Sequence, residues 1–106
     1  AVREARPYEA GARFEEGLFE LQMKRKDLAL AAFQNAVELE PFFSRAWVNL
    51  GNLLDEKGER LAAVQAYRQA LEATEKWKDA PLARPEKDLV ELSPETVEFV
   101  RAELER

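Results

Sequence analysis

Apolar residues recur along this chain at helical spacing, and short polar turns break the pattern at regular intervals. Trp47, Leu50, Gly51 and Leu54 fall at i, i+3, i+4 and i+7, which draws one stripe down a helix. The polar run Asp55-Glu56-Lys57-Gly58-Glu59 interrupts that stripe, with Gly58 placed to take the positive φ of a helix end. A second stripe follows in Val64, Tyr67, Leu71 and Thr74, flanked by the small residues Ala63, Ala66 and Ala70. Upstream, Leu30, Phe33 and Val37 play the same part, and Pro41 stops that helix because proline has no backbone N–H to donate.

The pattern repeats. Sliding the chain against itself by ~34 residues aligns 10–43 with 44–77 without a gap. Gly17 then falls on Gly51, Ala29 on Ala63, Phe33 on Tyr67 and Ala36 on Ala70. Small residues at these points let helix backbones approach closely, while Phe33, Trp47 and Tyr67 fill the space between them. Each stretch therefore predicts two helices joined by a tight turn. Pro7 sits where a first helix could begin, since its fixed φ suits an opening turn. Residues 78–92, with Pro81, Pro85 and mixed charge, read as an irregular connector. Ser93-Pro94-Glu95 then combines a capping hydroxyl, a first-turn proline and an acid at the positive end of the helix dipole. Val97, Val100 and Leu104 continue as an apolar stripe with Phe99 beside it. Residues 93–106 are thus expected to form a terminal helix covering the apolar flank of the second hairpin, as repeat arrays require.

Composition narrows the chemistry. The chain of 106 residues has no Cys and no His, so disulfides, a thiolate nucleophile, cysteine metal sites and the commonest general base near neutral pH are all missing. No Asp-rich loop has calcium spacing, no metal site is expected and no cofactor motif is present. The acid pairs Glu15-Glu16, Asp55-Glu56 and Glu103/Glu105 lie in charged surroundings that would not split two pKa values for catalysis. A formal charge of −5 argues against a nucleic-acid partner, and no apolar run approaches the roughly 20 residues that span a bilayer. These features point away from an enzyme, and away from nucleic acid or membrane as partner. The first residues carry no signal-peptide pattern, so a cytoplasmic chain is expected, with a removed leader left open.

Trp47, Leu50, Gly51, Leu54, Ala63, Tyr67 and Ala70 in the second stretch, and Gly17, Ala29, Phe33, Ala36 and Pro41 in the first, resemble the tetratricopeptide repeat family. Two departures stand out. Glu75 replaces the final proline of the second repeat, so that helix is expected to run on through Trp77. Arg13, Glu16 and Glu20 stand where large apolar residues are usual. Either that side of the first helix faces solvent, or the register slips by one and turns Phe14, Leu18 and Leu21 inward.

The resemblance implies an all-α superhelix of about five helices, stacked right-handedly as antiparallel hairpins. It also implies a protein-binding role, with the first helix of each hairpin lining a concave groove for a peptide. Carried onto this sequence, the groove candidates are Phe14, Leu18 and Leu21 from the first repeat and Arg45, Val48, Asn49, Asn52 and Asp55 (or Glu56) from the second. Asn49 and Asn52 could grip a peptide backbone from one helix face, though Asn at these places is often merely solvated. Some members of the family clamp an acidic C-terminus with Lys and Asn. Here Phe14 and Leu18 occupy two of those places, which favours an apolar or amphipathic partner instead. Phe43 is expected between the hairpins and Phe42 nearer the surface, Trp47 in the core, and Trp77 stays open as a contact residue. The basic run Lys24-Arg25-Lys26 reads as a cap on a helix C-terminus. The alternative to groove binding is a structural array that self-associates end to end or through its C-terminal helix, because two hairpins are fewer than the ~3 repeats usually needed for stability.

Overall fold

A computed structural model describes residues 7–76 and 90–106. It contains α1 (Pro7–Gln22), α2 (Lys26–Leu39), α3 (Ser44–Glu56), α4 (Arg60–Lys76) and α5 (Pro94–Leu104), with no strand among the described residues. The all-α, five-helix expectation is met. Trp77 and most of the expected connector lie outside the described residues.

Each hairpin closes on one contact. The Phe33 ring lies against Gly17, and the Tyr67 ring lies against Gly51. A Cβ at Gly17 would come within 2.6 Å of the Phe33 ring, and one at Gly51 within 2.7 Å of the Tyr67 ring. Both distances are below any normal carbon contact, so only glycine lets the two helices approach this far. Ala29, Ala36, Ala63 and Ala70 are completely buried, consistent with small residues setting the interhelical distance.

The turns that join the two helices of each hairpin are also equivalent, with one difference in residue type. Gly58 takes a left-handed φ of 87°, and Lys24 takes φ 60° at the matching place in the first hairpin. The Lys24 and Arg25 amides donate back to the carbonyls of Leu21 and Glu20, and the Gly58 and Glu59 amides donate to Asp55 and Leu54. The basic run therefore does not occupy the last turn of α1. The left-handed turn ends α1 at Gln22, so Arg25 reaches back to Glu20 at 3.2 Å while Lys26 opens α2 and pairs with Glu56 of α3 at 3.0 Å.

Between the hairpins, Phe43 is buried and its ring centroid lies 4.8 Å from that of Phe14, which in turn lies 5.6 Å from Phe33. Phe42 is half-buried. Trp47 packs against both core clusters, and its indole N–H donates to the Pro41 carbonyl at 2.9 Å. Glu40 is buried in the same turn. Its Oε1 accepts the Phe42 amide at 3.0 Å, Oε2 meets no hydrogen-bond partner among the described residues, and burial pushes its carboxyl above the ordinary 4.5.

The last helix returns onto the second hairpin. Ser93 caps α5 by accepting the Thr96 amide at 3.2 Å, with Pro94 in the first turn. Val100 is fully buried among Val48, Ala63, Tyr67 and Ala70, and Leu92 and Leu104 pack at its sides. The segment before α5 is fastened near the start of α3, where the Ser44 hydroxyl donates to the Val90 carbonyl, and near the end of α4, where Thr74 accepts the Leu92 amide at 3.2 Å. At its far end, Arg60 contacts Asp55 at 3.1 Å, the Glu103 carboxylate at 3.3 Å and the Glu103 carbonyl. Arg106 bridges the same two acids at 3.3 and 2.7 Å.

Gly51→Ala should cost about 1–3 kcal/mol, because the added methyl overpacks a buried ring. Lys24→Gly should instead raise stability by about 1 kcal/mol by relieving a left-handed backbone at a residue with a Cβ. Urea unfolding of the two variants beside the parent reads both signs.

Candidate functional site on the groove face

The residues expected to line the groove separate into three groups. Phe14 and Val48, at equivalent places in α1 and α3, are withdrawn from the surface at 4% and 8% exposure, although Val48 still lines the cavity beside Arg45 and Asn49. Phe14 lies against Phe33 and Phe43, and Arg45 covers its ring at 5.1 Å from the centroid. Val48 is covered because α5 brings Val100 and Leu92 over the second hairpin.

Asn52 and Asp55 form the second group, already engaged within the chain. The Tyr67 hydroxyl donates to Asn52 Oδ1 at 2.6 Å, and Asp55 pairs with Arg60 and Arg106. Burial, then the nearby Glu103 and Asp55 carboxylates, push the Tyr67 phenol from its ordinary 10.0 up to about 12. Glu56, the stand-in for Asp55, is exposed and pairs with Lys26.

The third group keeps solvent-facing atoms. Leu18 is 37% exposed, Leu21 is half-buried against the core, Arg45 is exposed, and Asn49 is half-buried with its amide nitrogen donating to the Arg45 carbonyl at 3.1 Å. The helix register has not slipped, since Gly17 meets Phe33 just as Gly51 meets Tyr67. Phe14 turns inward in that register, Arg13 and Glu16 face solvent and pair with each other at 3.0 Å, and Glu20 is buried and accepts from Arg25 at 3.2 Å.

A feature invisible in the repeat pattern completes the face. The chain entering α5 lies beside α3 and borders an open cavity of about 320 Å³, lined by Arg45, Val48, Asn49, Leu92, Ser93 and Thr96 together with Glu91. The Ser93-Pro94-Glu95 start signal located this helix, but nothing in its spacing indicated which part of the second hairpin it would adjoin. The cavity offers one guanidinium, one carboxylate, one carboxamide, two hydroxyl side chains and the apolar side chains of Val48 and Leu92. No group of three or more metal-ligating side chains occurs among the described residues, and none of the described helices is long and apolar enough to cross a membrane.

Antiparallel helix pairs closed by an aromatic ring on a glycine, stacked in register and followed by a further helix, define a helical-repeat array. The family model for the tetratricopeptide repeat matches residues 10–43 and 44–76, so the chain belongs to that family. Such repeats are generally protein–protein interaction modules and typically non-enzymatic. A search of curated proteins finds no match.

Tyr67 provides a test of this face in solution. Because the folded phenol titrates above its unfolded value, its contribution to stability is fully present below pH 10 and is lost as pH rises towards about 12. The difference in tyrosinate absorbance between the parent chain and Tyr67→Phe should therefore titrate near the upper value. A midpoint at the ordinary 10.0 would mean that the phenol is neither buried nor facing Asp55 and Glu103.

Proposed function

We propose that this chain is a non-catalytic adaptor that holds an amphipathic peptide segment of a partner protein on the face formed by α1, α3 and the start of α5. The cavity beside Arg45 and Asn49 carries this reading. One apolar side chain of the partner fits over Val48 and Leu92, an acidic group or backbone carbonyl meets Arg45, and the Asn49 carboxamide takes up a main-chain group. Leu18 extends the apolar part of the contact across α1. The burial of Phe14 and Val48 supports an occupant that covers a shallow mixed surface rather than one that fills a deep apolar trough. The absence of Cys and His supports the non-catalytic part of the proposal.

Arg45→Glu combined with Asn49→Ala tests this while leaving the buried Val48 in place. Peptides selected from a displayed random library on the parent chain should bind the double variant at least roughly tenfold more weakly, a loss of about 1.4 kcal/mol. Thermal unfolding should show only a modest loss, since the main contact given up is the Arg45 guanidinium over the Phe14 ring, worth about 0.5–1 kcal/mol at an exposed site. Equal affinity for parent and double variant would overturn the placement of the groove.

A further inference from the structure

The two ends of the array carry the two halves of an interface that the chain already contains once. Inside the molecule, α2 stacks on α3, where Leu30 and Leu53 line a common crevice and Lys26 pairs with Glu56 across it at 3.0 Å. On α3 this contact also buries Ala46 completely and leaves Leu53 only 6% exposed. One repeat period earlier the same places on α1 hold Ala12 and Phe19. Both are exposed, Phe19 at 55%, and Met23 in the following turn and Leu28 on α2 are exposed as well, at 49% and 54%. An exposed patch of this kind on an otherwise charged surface marks a contact face.

The complementary half lies at the other end. One period after Leu30, Val37 and Lys26 come Val64, Leu71 and Arg60 on α4. That face is not free, because Leu71 packs into the cluster around Val100 of α5 and Arg60 is held by Glu103. We propose that the outer faces of α1 and α4 form a head-to-tail interface between copies of this chain, and that α5 is the removable cover that keeps the copies apart. In the stack, Phe19 of one copy meets Val64 of the next, as Leu53 meets Leu30 within the chain. Arg60, released from Glu103, faces Gln22, the counterpart of Glu56. A heterologous contact of this kind does not close on itself, so the product is an open-ended stack. The interface residues on α1 and α4 are not those that line the groove, although release of α5 opens the groove wall at Ser93 and Thr96; failure of the stack would leave the peptide-binding proposal standing.

The test uses the full chain. Parent protein should keep a monomer mass in light scattering from micromolar to millimolar concentration. Val100→Asp, which removes the fully buried contact of α5, should show a weight-average mass that at least doubles over that range. Adding Phe19→Glu to Val100→Asp should restore the monomer. Monomer mass in a Val100→Asp chain that keeps its helical circular dichroism would overturn the proposal, as would growth that persists with Phe19→Glu. Should Val100→Asp lose its helices, Val100→Ala with Arg60→Ala replaces it, amide exchange in α5 reports the release, and a released α5 with monomer mass counts equally against the proposal.

Discussion

The contact on which the molecule depends is an aromatic ring pressed onto a bare helix backbone. Phe33 on Gly17 and Tyr67 on Gly51 fix how close the two helices of each hairpin come, and that distance determines which other side chains are buried. Alanines at 29, 36, 63 and 70 fit the same spacing and are completely covered. With the hairpins set, Phe43, Phe14 and Trp47 fill the seam between them. Apolar burial of this type supplies most of the favourable free energy of folding, and the glycine positions decide where it can occur.

Much of this was legible in the sequence because it is local and periodic. The turns at Gly58, the caps at Ser93 and the small-residue positions each follow from a rule that spans one helical turn. What could not be read there is longer in range. Phe14 and Val48 occupy places that face a groove in a longer array, yet both are buried here. For Phe14 the cause is Phe33 and Phe43, which pack against its ring, with Arg45 of α3 lying over it. For Val48 it is α5, brought back from beyond the connector. The Lys24 turn shows the same limit on a smaller scale, since a lysine gives no sign that it will adopt a left-handed backbone.

The last helix therefore has more than one consequence. It covers the apolar flank of α4, it forms one wall of the cavity beside Arg45 and Asn49, and it brings Glu103 and Arg106 to the α3–α4 turn. Isolated exposed ion pairs contribute little, but here four charged groups share contacts around the partly buried Arg60, Asp55 and Glu103. The same helix thus links the shape of the candidate binding face to the closure of the array end.

One oxygen atom separates the two hairpins at their central contact. Phe33 ends in a C–H, whereas Tyr67 carries a hydroxyl that reaches Asn52 and sits in the field of Asp55 and Glu103. The second hairpin consequently places a polar group beside the charges that α5 brings, and the Phe99 ring of α5 meets Tyr67 edge-on at 6.1 Å, while the first hairpin has only an apolar ring at that contact. In a repeat array, neighbouring units open as their mutual interfaces allow. Loosening of α5 would therefore be felt first at Tyr67 and Arg60 of the second hairpin.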